Sequence, residues 1–298
     1  QQGVTVGPEG EIYVGWGFKG FPPPFIGMDH LGTYISRVTS DGEVQWSRPI
    51  LDLYSTCPTL ALPDHLYFAV GDFAFHFSQS RLYAYSRHGH LVWGPRQNPP
   101  FFSDYVYCYL TVGADGTLFY PDGSYLLALN PIDGSVKWRQ SAQGWFLSQS
   151  PSIGQDGTVY VGVDSEVWAL DPADGSFRWI VEGASRGNIT GTSIGLDGTI
   201  YAAFILRDED VLTAISPDGQ VRWQTPTGGS PGFPPSIDRS GRLYLQTSSR
   251  KTNGAMLESF DPDGARRWQI DITGGGAEPV VIDGRNQLYV IVPDFYPG

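Results

Sequence analysis

The sequence has little of what marks a disulfide-rich, membrane-spanning or nucleic-acid-binding protein. Only two of its 298 residues are cysteine, too few for a disulfide scaffold and too widely spaced for a metal knuckle. No run of about 18 apolar residues occurs, which excludes a transmembrane helix. Lys and Arg number 19 against 31 Asp and Glu, and the net charge of −12 disfavours nucleic acid and anionic lipid as partners.

Turn-forming and aromatic residues, by contrast, are abundant. The chain has 38 Gly and 23 Pro, while 41% of its residues are hydrophobic and 14% are aromatic. So much Gly and Pro is typical of many short strands joined by turns, and this hydrophobic content is too high for a disordered chain. The composition therefore predicts a globular, strand-rich protein with a large core.

One hairpin motif recurs along the chain. The stretches ALNPIDGSVKW (128–138) and ALDPADGSFRW (169–179) are near copies, and each predicts two short strands around an Asp-Gly turn. Asp-Gly supplies the positive φ angles that two-residue hairpins require. With four looser copies, the motif ends at Trp46, Trp93, Trp138, Trp179, Trp223 and Trp268.

A second hairpin precedes each copy of the first, as in VGADGTLFY and IGQDGTVYVG. An aromatic residue stands at the same place in each second hairpin, including one further copy near the end of the chain. The aromatic set is Tyr13, Tyr67, Phe119, Tyr160, Tyr201, Tyr244 and Tyr289. Each of the first six repeats therefore has four strands.

Four-stranded repeats whose tryptophans stand 41 to 47 residues apart predict a β-propeller. A small sheet cannot bury both faces alone, whereas blades packed around an axis bury them against each other. We expect each tryptophan to lie between adjacent blades, in a structural role. The predicted fold is an all-β, seven-bladed β-propeller of four-stranded antiparallel blades, with the last blade incomplete in this chain. It forms one domain over 1–298, with repeats that start near 3, 57, 108, 149, 190, 233 and 278.

The hairpin motif resembles that of the pyrroloquinoline-quinone-like propellers of the quinoprotein alcohol dehydrogenase type. The residues that carry the resemblance are Ala169, Asp171, Gly175 and Trp179, and in the near copy Ala128, Gly134 and Trp138, with Asn130 in the aspartate place. The resemblance implies the propeller architecture. Its redox members stack a quinone on two adjacent cysteines and hold calcium with Glu, Asn and Asp. Cys57 and Cys108 are far apart and no such ligand motif occurs, so no catalytic residue, cofactor or metal is predicted.

The two ends of the predicted blades differ. The first and third connections within each repeat are short turns, and we call this end the turn face. The other connections are long and variable, and they form the long-loop face, where function is expected. Candidate ligand-binding residues there are Trp16, Phe18, Phe21, His30, His76, Phe102, Tyr105 and Trp145. The alternative is that these rings bury one another as a small satellite core.

Equivalent positions at the start of the innermost strands predict the mouth of the axial channel. They are Gln2, Cys57, Cys108, Gln149, Thr190, Phe233 and Glu278. The two cysteines would lie on neighbouring inner strands, either as buried thiols or as a disulfide, which needs Cα atoms about 4.4–6.8 Å apart. A disulfide would indicate an extracytoplasmic protein.

The seventh repeat has two predicted strands where the others have four. Either the chain is a fragment, or the last blade is small or the ring six-bladed with an extra hairpin, or another chain donates the missing edge. The chain begins directly at a predicted strand, as a mature chain released from a precursor or an artificially trimmed chain would.

These observations predict an extracytoplasmic (secreted, periplasmic or cell-surface), non-catalytic binding or assembly scaffold without a cofactor. Its aromatic loop face would contact a protein segment or a glycan, and a strand could be donated at the last blade. Two alternatives remain open. One is an enzyme, either a reduced quinone-dependent dehydrogenase or a carbohydrate-active hydrolase or lyase; the other is a structural subunit of a surface assembly.

Overall fold

The chain folds into β-strands joined by turns and loops. A computed structural model describes residues 4–17, 33–50, 54–55, 59–61, 64–71, 80–97, 110–122, 125–142, 150–249, 254–272, 276 and 278–291. Within these ranges there is no helix, and so none with the length and apolar character to cross a membrane. Two compact units, Gln1–Ser141 and Ala142–Gly298, are described separately below. The single domain over 1–298 stays a prediction.

The first unit contains three sheets. Sheet 1 consists of β1 (Val4–Val6), β2 (Ile12–Gly17), β3 (Thr33–Val38) and β4 (Val44–Ile50). Sheet 2 consists of β5 (Tyr54–Ser55), β6 (Thr59–Ala61), β7 (His65–Gly71), β8 (Ser80–Ser86) and β9 (Leu91–Gln97). Sheet 3 consists of β10 (Thr111–Val112), β11 (Leu118–Asp122), β12 (Tyr125–Leu129) and β13 (Val136–Ser141).

The second unit contains four sheets. Sheet 4 consists of β14 (Ser152–Ile153), β15 (Val159–Val163), β16 (Glu166–Leu170) and β17 (Phe177–Glu182). Sheet 5 consists of β18 (Gly187–Ile194), β19 (Ile200–Leu206), β20 (Val211–Ile215) and β21 (Val221–Pro226). Sheet 6 consists of β22 (Ser230–Pro231), β23 (Ser236–Ile237), β24 (Leu243–Ser248), β25 (Ala255–Phe260) and β26 (Arg266–Ile272). Sheet 7 consists of β27 (Val281–Ile282) and β28 (Leu288–Tyr289).

All seven sheets are antiparallel, and their strands pair in chain order. In sheets 2 and 6 the first strand is in two pieces: β5 and β6 both pair with β7, and β22 and β23 both pair with β24. Because consecutive strands run in opposite directions, the first and third connections of a sheet lie at one end. This arrangement separates the turn face from the long-loop face in sheets 1 to 6, as predicted.

The Asp-Gly turns differ from the predicted two-residue hairpins. In the turn 113–116, the Gly116 N–H donates to the Gly113 carbonyl at 2.9 Å, and Gly116 has a φ of 83°. Among the described residues only Asp164 and Asn286 are non-glycine residues with positive φ, so the aspartates of the turns have negative φ. These are turns in which glycine alone takes the left-handed conformation. The Asp115 carboxylate explains this, because it accepts the backbone N–H of Thr117 at 2.9 Å and so caps the turn.

The tryptophans connect successive sheets within each unit, as predicted. The Trp179 indole N–H donates to the Pro217 carbonyl at 2.8 Å, in the third connection of sheet 5. A Cβ on Gly219 of the same turn would lie 2.7 Å from the indole, so the ring rests on the bare glycine. On its own sheet the indole contacts Tyr160, at 5.6 Å between ring centroids. Equivalent bonds join Trp46 to Arg87, Trp93 to Pro131 and Trp223 to Pro262.

Candidate functional site

Most of the predicted ligand-binding residues lie outside the described residues. These are Phe18, Phe21, His30, His76, Phe102, Tyr105 and Trp145, and the same holds for Gln2, Cys57, Cys108 and Gln149 of the predicted channel mouth. The backbone of Trp16 lies in β2, where it pairs with Tyr34. The roles of Trp16 and of the residues outside the described ranges stay predictions.

Three of the predicted channel-mouth residues are described. Two of them lie where an inner strand is interrupted, and the third lies just before an inner strand begins. Thr190 falls where the register of β18 shifts between Ile189 and Thr192, and its buried Oγ1 donates to the Ala203 carbonyl at 3.2 Å. Phe233 lies between β22 and β23, and Glu278 precedes β27; both are half-buried. Pro or Gly follows each of the three, and Pro has no N–H for the ladder. Within the described part of the chain these three share no hydrogen bond or ion pair with one another.

Hydroxyl groups on the inner strands join neighbouring sheets, a feature that the sequence interpretation missed. Ser152 Oγ donates to the Thr192 carbonyl at 2.6 Å, and Ser236 Oγ donates to the Val280 carbonyl. In the first unit Thr59 Oγ1 lies 3.5 Å from the Leu110 carbonyl. These hydroxyls stand opposite the aromatic register, so a comparison of the repeats would have found them.

A buried carboxylate fixes the connection between sheets 5 and 6, on the long-loop face. Glu258 in β25 is fully buried, and its Oε1 accepts the Gly228 N–H at 2.9 Å and the Thr247 hydroxyl at 3.0 Å. Its Oε2 lies 3.1 Å from Nε of Arg266 in β26. Burial raises the pKa of Glu258, and the Gly228 amide, Arg266 and Thr247 oppose that rise.

A second buried carboxylate fixes the other side of the same connection. Asp210 is 4% exposed; its Oδ1 accepts the Leu206 N–H at 3.0 Å, and its Oδ2 accepts the Ser230 hydroxyl at 2.8 Å. Its backbone carbonyl accepts the Thr227 N–H at 2.9 Å. Asp210 therefore joins the β19–β20 connection to the β21–β22 connection.

The glycines of this connection permit its close approach to sheet 6. A Cβ on Gly229 would lie 2.2 Å from the Ser248 carbonyl oxygen, a distance that no side chain tolerates. We call residues 226–230 the anchored loop, since both buried carboxylates and Gly229 fix its path. The loop that contains its stretch TGGS was predicted to lie on the long-loop face, but no residue of TGGS or of the stretch AMLESF in β25 was a predicted site residue. The repeats did contain a signal, because Glu258 stands at the place that Trp168 and Thr213 occupy, both of them buried.

This arrangement holds loops in place and brings no reactive constellation together. Both carboxylates accept hydrogen bonds from loop backbone or hydroxyl groups, while Arg207, Asp208 and Glu209 are exposed beside them. Among the described residues no three His, Cys, Asp or Glu side chains are grouped so as to hold a metal ion. The two cysteines are not adjacent in sequence, so these residues do not fit the quinone site of the redox propellers.

Comparisons with known proteins agree on the fold. A model of the PQQ-like family described as outer membrane protein assembly factor BamB matches residues 78–252. BamB from Moraxella catarrhalis is similar in structure, with a TM-score of 0.61 and 12% identity over 93% of this chain and 86% of that chain. A provisional 6-phosphogluconolactonase from Bacteroides uniformis has a TM-score of 0.59 and 14% identity over 92% of this chain and 85% of that chain. No curated protein matches the chain in sequence.

The four-stranded antiparallel sheets and these similarities define an all-β propeller, the class of protein that the repeats predicted. Its last sheet has two strands among the described residues. Since the family model covers more than half of the chain, the protein belongs to the PQQ-like family described as outer membrane protein assembly factor BamB.

Proposed function

We propose that the protein is a non-catalytic binding and assembly scaffold that acts outside the cytoplasm. Its long-loop face would receive a protein segment or a glycan. The description of its family as an outer membrane protein assembly factor supports both the role and the location. The enzyme name of one structural neighbour does not bear on this chain, because 14% identity indicates a shared fold alone.

The anchored loop is the observation that supports this proposal most directly. Loops that must order on binding lose conformational entropy, whereas a loop already held in one conformation avoids that cost. Glu258 and Asp210 hold the anchored loop through its backbone and hydroxyl groups, beside the exposed Asp208 and the half-buried Phe233. A pre-organised surface suits recognition, and this supports a binding role.

Site-specific photo-crosslinking tests the proposal in cells that produce the protein. A photoreactive residue replaces Asp208 or Phe233 on the long-loop face, or Ile132 or Leu196 on the turn face as matched controls. The control side chains are 73% and 77% exposed, so a partner can reach them. Crosslinked products from the long-loop positions alone are expected, and products from the turn face alone would refute the proposal.

A glycan partner requires a separate measurement. Oligosaccharides that stack on an aromatic side chain should shift the tryptophan fluorescence, and Trp145→Ala should abolish that shift. A shift that persists in the variant would remove Trp145 from the proposed surface.

The proposal includes a strand donated to the edge of β28. Among the described residues β28 pairs with β27 alone, and Ile282 and Leu288 of this sheet pack in one cluster with Trp268 and Tyr244 of sheet 6. A crosslinker at Tyr289, which is 55% exposed, should capture such a strand. Absence of a product there would remove strand donation and leave the loop-face proposal intact.

A further inference from the structure

The third turn of sheet 1 has the same backbone geometry as three turns that each carry an indole. In this turn, residues 39–43, the Gly42 N–H donates to the Thr39 carbonyl at 3.0 Å, and Gly42 has a φ of 89°. The three related turns have the same hydrogen bond at 2.9 Å, and their glycines have φ angles of 79°, 89° and 88°. Those glycines are Gly89, Gly219 and Gly264. We call residues 39–43 the Gly42 turn.

Each of the three related turns holds the indole of the preceding sheet by two contacts. The indole ring packs on the glycine, where a Cβ would lie 2.6 or 2.7 Å from the ring. The indole N–H donates to the carbonyl two residues before that glycine, at 2.8 or 2.9 Å. The ring and the acceptor carbonyl are those of Trp46 and Arg87, Trp179 and Pro217, and Trp223 and Pro262.

In two of these turns a further side chain of the indole-bearing strand adds a third contact. The residue two positions after the tryptophan donates to the carbonyl of the turn glycine. Arg48 donates from Nε to Gly89, and Thr225 donates from Oγ1 to Gly264, both at 2.8 Å. A turn of this geometry therefore recognises an extended segment through the pattern Trp-x-Arg or Trp-x-Thr.

The Gly42 turn presents the same groups on an exposed surface. Among the described residues no atom lies within 4 Å of a Cβ placed on Gly42. Gly42 is exposed, whereas two of the three related glycines are buried. The Ser40 carbonyl stands two residues before Gly42, which is the place of the indole acceptor in the related turns. Asp41 and Glu43 are exposed on the same turn and attract a positively charged segment.

We propose that the Gly42 turn is a binding site for a tryptophan of a partner protein, carried by an extended segment with the pattern Trp-x-Arg. The indole lies on Gly42 and donates its N–H to the Ser40 carbonyl, and the arginine donates to the Gly42 carbonyl. Arginine is favoured over threonine because Asp41 and Glu43 complement its charge.

The Gly42 turn is already held in the binding geometry by its own hydrogen bonds. Besides the bond from Gly42, the Glu43 N–H donates to the Thr39 hydroxyl at 3.1 Å. Little ordering of the turn is therefore needed on binding, which favours affinity. The site is on the turn face of sheet 1, so the inference does not rest on the function proposed for the long-loop face.

Nuclear magnetic resonance of the intact chain with a synthetic peptide tests the site. The peptide is VQWSRPI with capped ends, the sequence of residues 44–50, which contains the Trp-x-Arg pattern. It is added up to roughly 5 mM, because one ring and two hydrogen bonds suit a dissociation constant of about 1 mM. The Gly42 amide signal should shift toward saturation, and the Gly10 amide signal, from the first turn of the same sheet, should not shift.

Variants of the peptide and of the protein identify the contacts. In the peptide, Trp46→Ala should abolish the shift, and Arg48→Ala should weaken binding about tenfold, the effect of losing one hydrogen bond from a charged group. In the protein, Gly42→Ala places a Cβ where the indole has to lie and should abolish binding. Gly10→Ala is the matched control, since Gly10 has a φ of 80° and a Cβ there has no described atom within 4 Å. Both substitutions strain a turn glycine, so their difference reports the site.

A Gly42 amide that stays unshifted at the highest peptide concentration would overturn the site, as would a shift that persists with the Trp46→Ala peptide. Equal binding of the Arg48→Ala peptide would overturn the Trp-x-Arg pattern. If Gly42→Ala does not fold, the two peptide variants decide on the wild-type protein. The crosslinking controls of the proposed function are in the turns of sheets 3 and 5, so a failure of that proposal is distinguishable from a failure of this site.

Discussion

Two loops can be compared, the one that leads from sheet 4 to sheet 5 and the one that leads from sheet 5 to sheet 6. Both are held by the same backbone hydrogen bond, but the second has additional side-chain contacts. In the first loop the Gly183 N–H donates to the Ser165 carbonyl at 2.7 Å. In the second, at the equivalent place, the Thr227 N–H donates to the Asp210 carbonyl at 2.9 Å. The second loop is held in addition by the side-chain carboxylates of Asp210 and Glu258.

The two ends of these sheets are held in different ways. At the turn end, indole contacts of the same geometry fix the spacing of the sheets on both sides of sheet 5. On the long-loop face, the side chains packed between neighbouring sheets are apolar in one place and polar in another. Gly162 of sheet 4 leaves room for Ile189, whereas sheet 6 buries Glu258 and Thr247. Buried charge occurs here where a glycine-rich loop has to be held.

The largest effect is expected from removing the indoles. Trp179→Ala and Trp223→Ala each delete a ring together with its hydrogen bond to the next sheet. Each should lower the free energy of unfolding by about 3–5 kcal/mol, the usual cost of truncating a large packed side chain. Urea denaturation followed by circular dichroism measures both. Unequal losses would show that the interface between sheets 4 and 5 and the interface between sheets 5 and 6 are not held by equivalent indole contacts. Trp223→Phe, which keeps an aromatic ring, is the control.

The indole spacing was also what the sequence revealed best. Trp recurs every 41 to 47 residues, and an indole packs on a bare glycine of the next sheet's turn, as Trp46 does on Gly89, Trp179 on Gly219 and Trp223 on Gly264; the fold was therefore predictable. The turn type was not, because the capping role of the Asp115 carboxylate depends on local geometry. Glu258 and Gly228 are thirty residues apart and adjoin only after sheets 5 and 6 have packed. No local pattern predicts that contact.

A smaller loss of stability is expected from a substitution at Gly162, where a strand of sheet 4 has a glycine at the interface with sheet 5. A Cβ on Gly162 would lie 2.4 Å from Cγ2 of Ile189, so Gly162→Ala overpacks the interface between sheets 4 and 5. We expect a loss of about 1–3 kcal/mol in the free energy of unfolding. Ile189→Ala should relieve that loss in the double variant, and a double-mutant cycle measures the coupling. Additive losses would mean that the two groups do not meet.

A substitution at Asp210 tests whether its carboxylate holds the second loop. The expected loss in the free energy of unfolding is similar to that of Gly162→Ala or smaller. Asp210→Ser makes the second loop resemble the first, in which Ser165 occupies the equivalent place. The backbone bond to Thr227 should survive, while the side-chain bonds to Leu206 and Ser230 are lost, at a cost of about 1–2 kcal/mol. Hydrogen exchange should accelerate at the Leu206 amide and stay unchanged at the Thr227 amide. Acceleration at both amides would contradict a division between backbone and side-chain anchors.

The smallest effect is expected on the turn face. There the stability that Asp156 contributes depends on pH in the opposite sense to the stability that the buried Glu258 contributes. Asp156 accepts hydrogen bonds from Thr158, and with the ion pair to Arg178 at 2.7 Å these lower its pKa, with desolvation acting against them. A lowered folded pKa gives stability that is present above the unfolded value and is lost as pH falls through the folded one. A raised pKa, as in Glu258, gives stability that is lost as pH rises through the folded value.

Acid should therefore weaken the turn face of sheet 4 while the Glu258 contribution changes in the opposite sense. Arg178→Gln should cost only about 0.5 kcal/mol at neutral pH, because the pair is solvent-exposed and salt screens it. Its unfolding curves, measured across the acid range, should show a weaker acid-induced loss than the wild type, whereas Glu258→Gln should show a stronger one. If both variants shifted the acid response in the same direction, the contrast between a solvent-exposed anchor and a buried one would fail, since the sign follows from where each carboxylate lies.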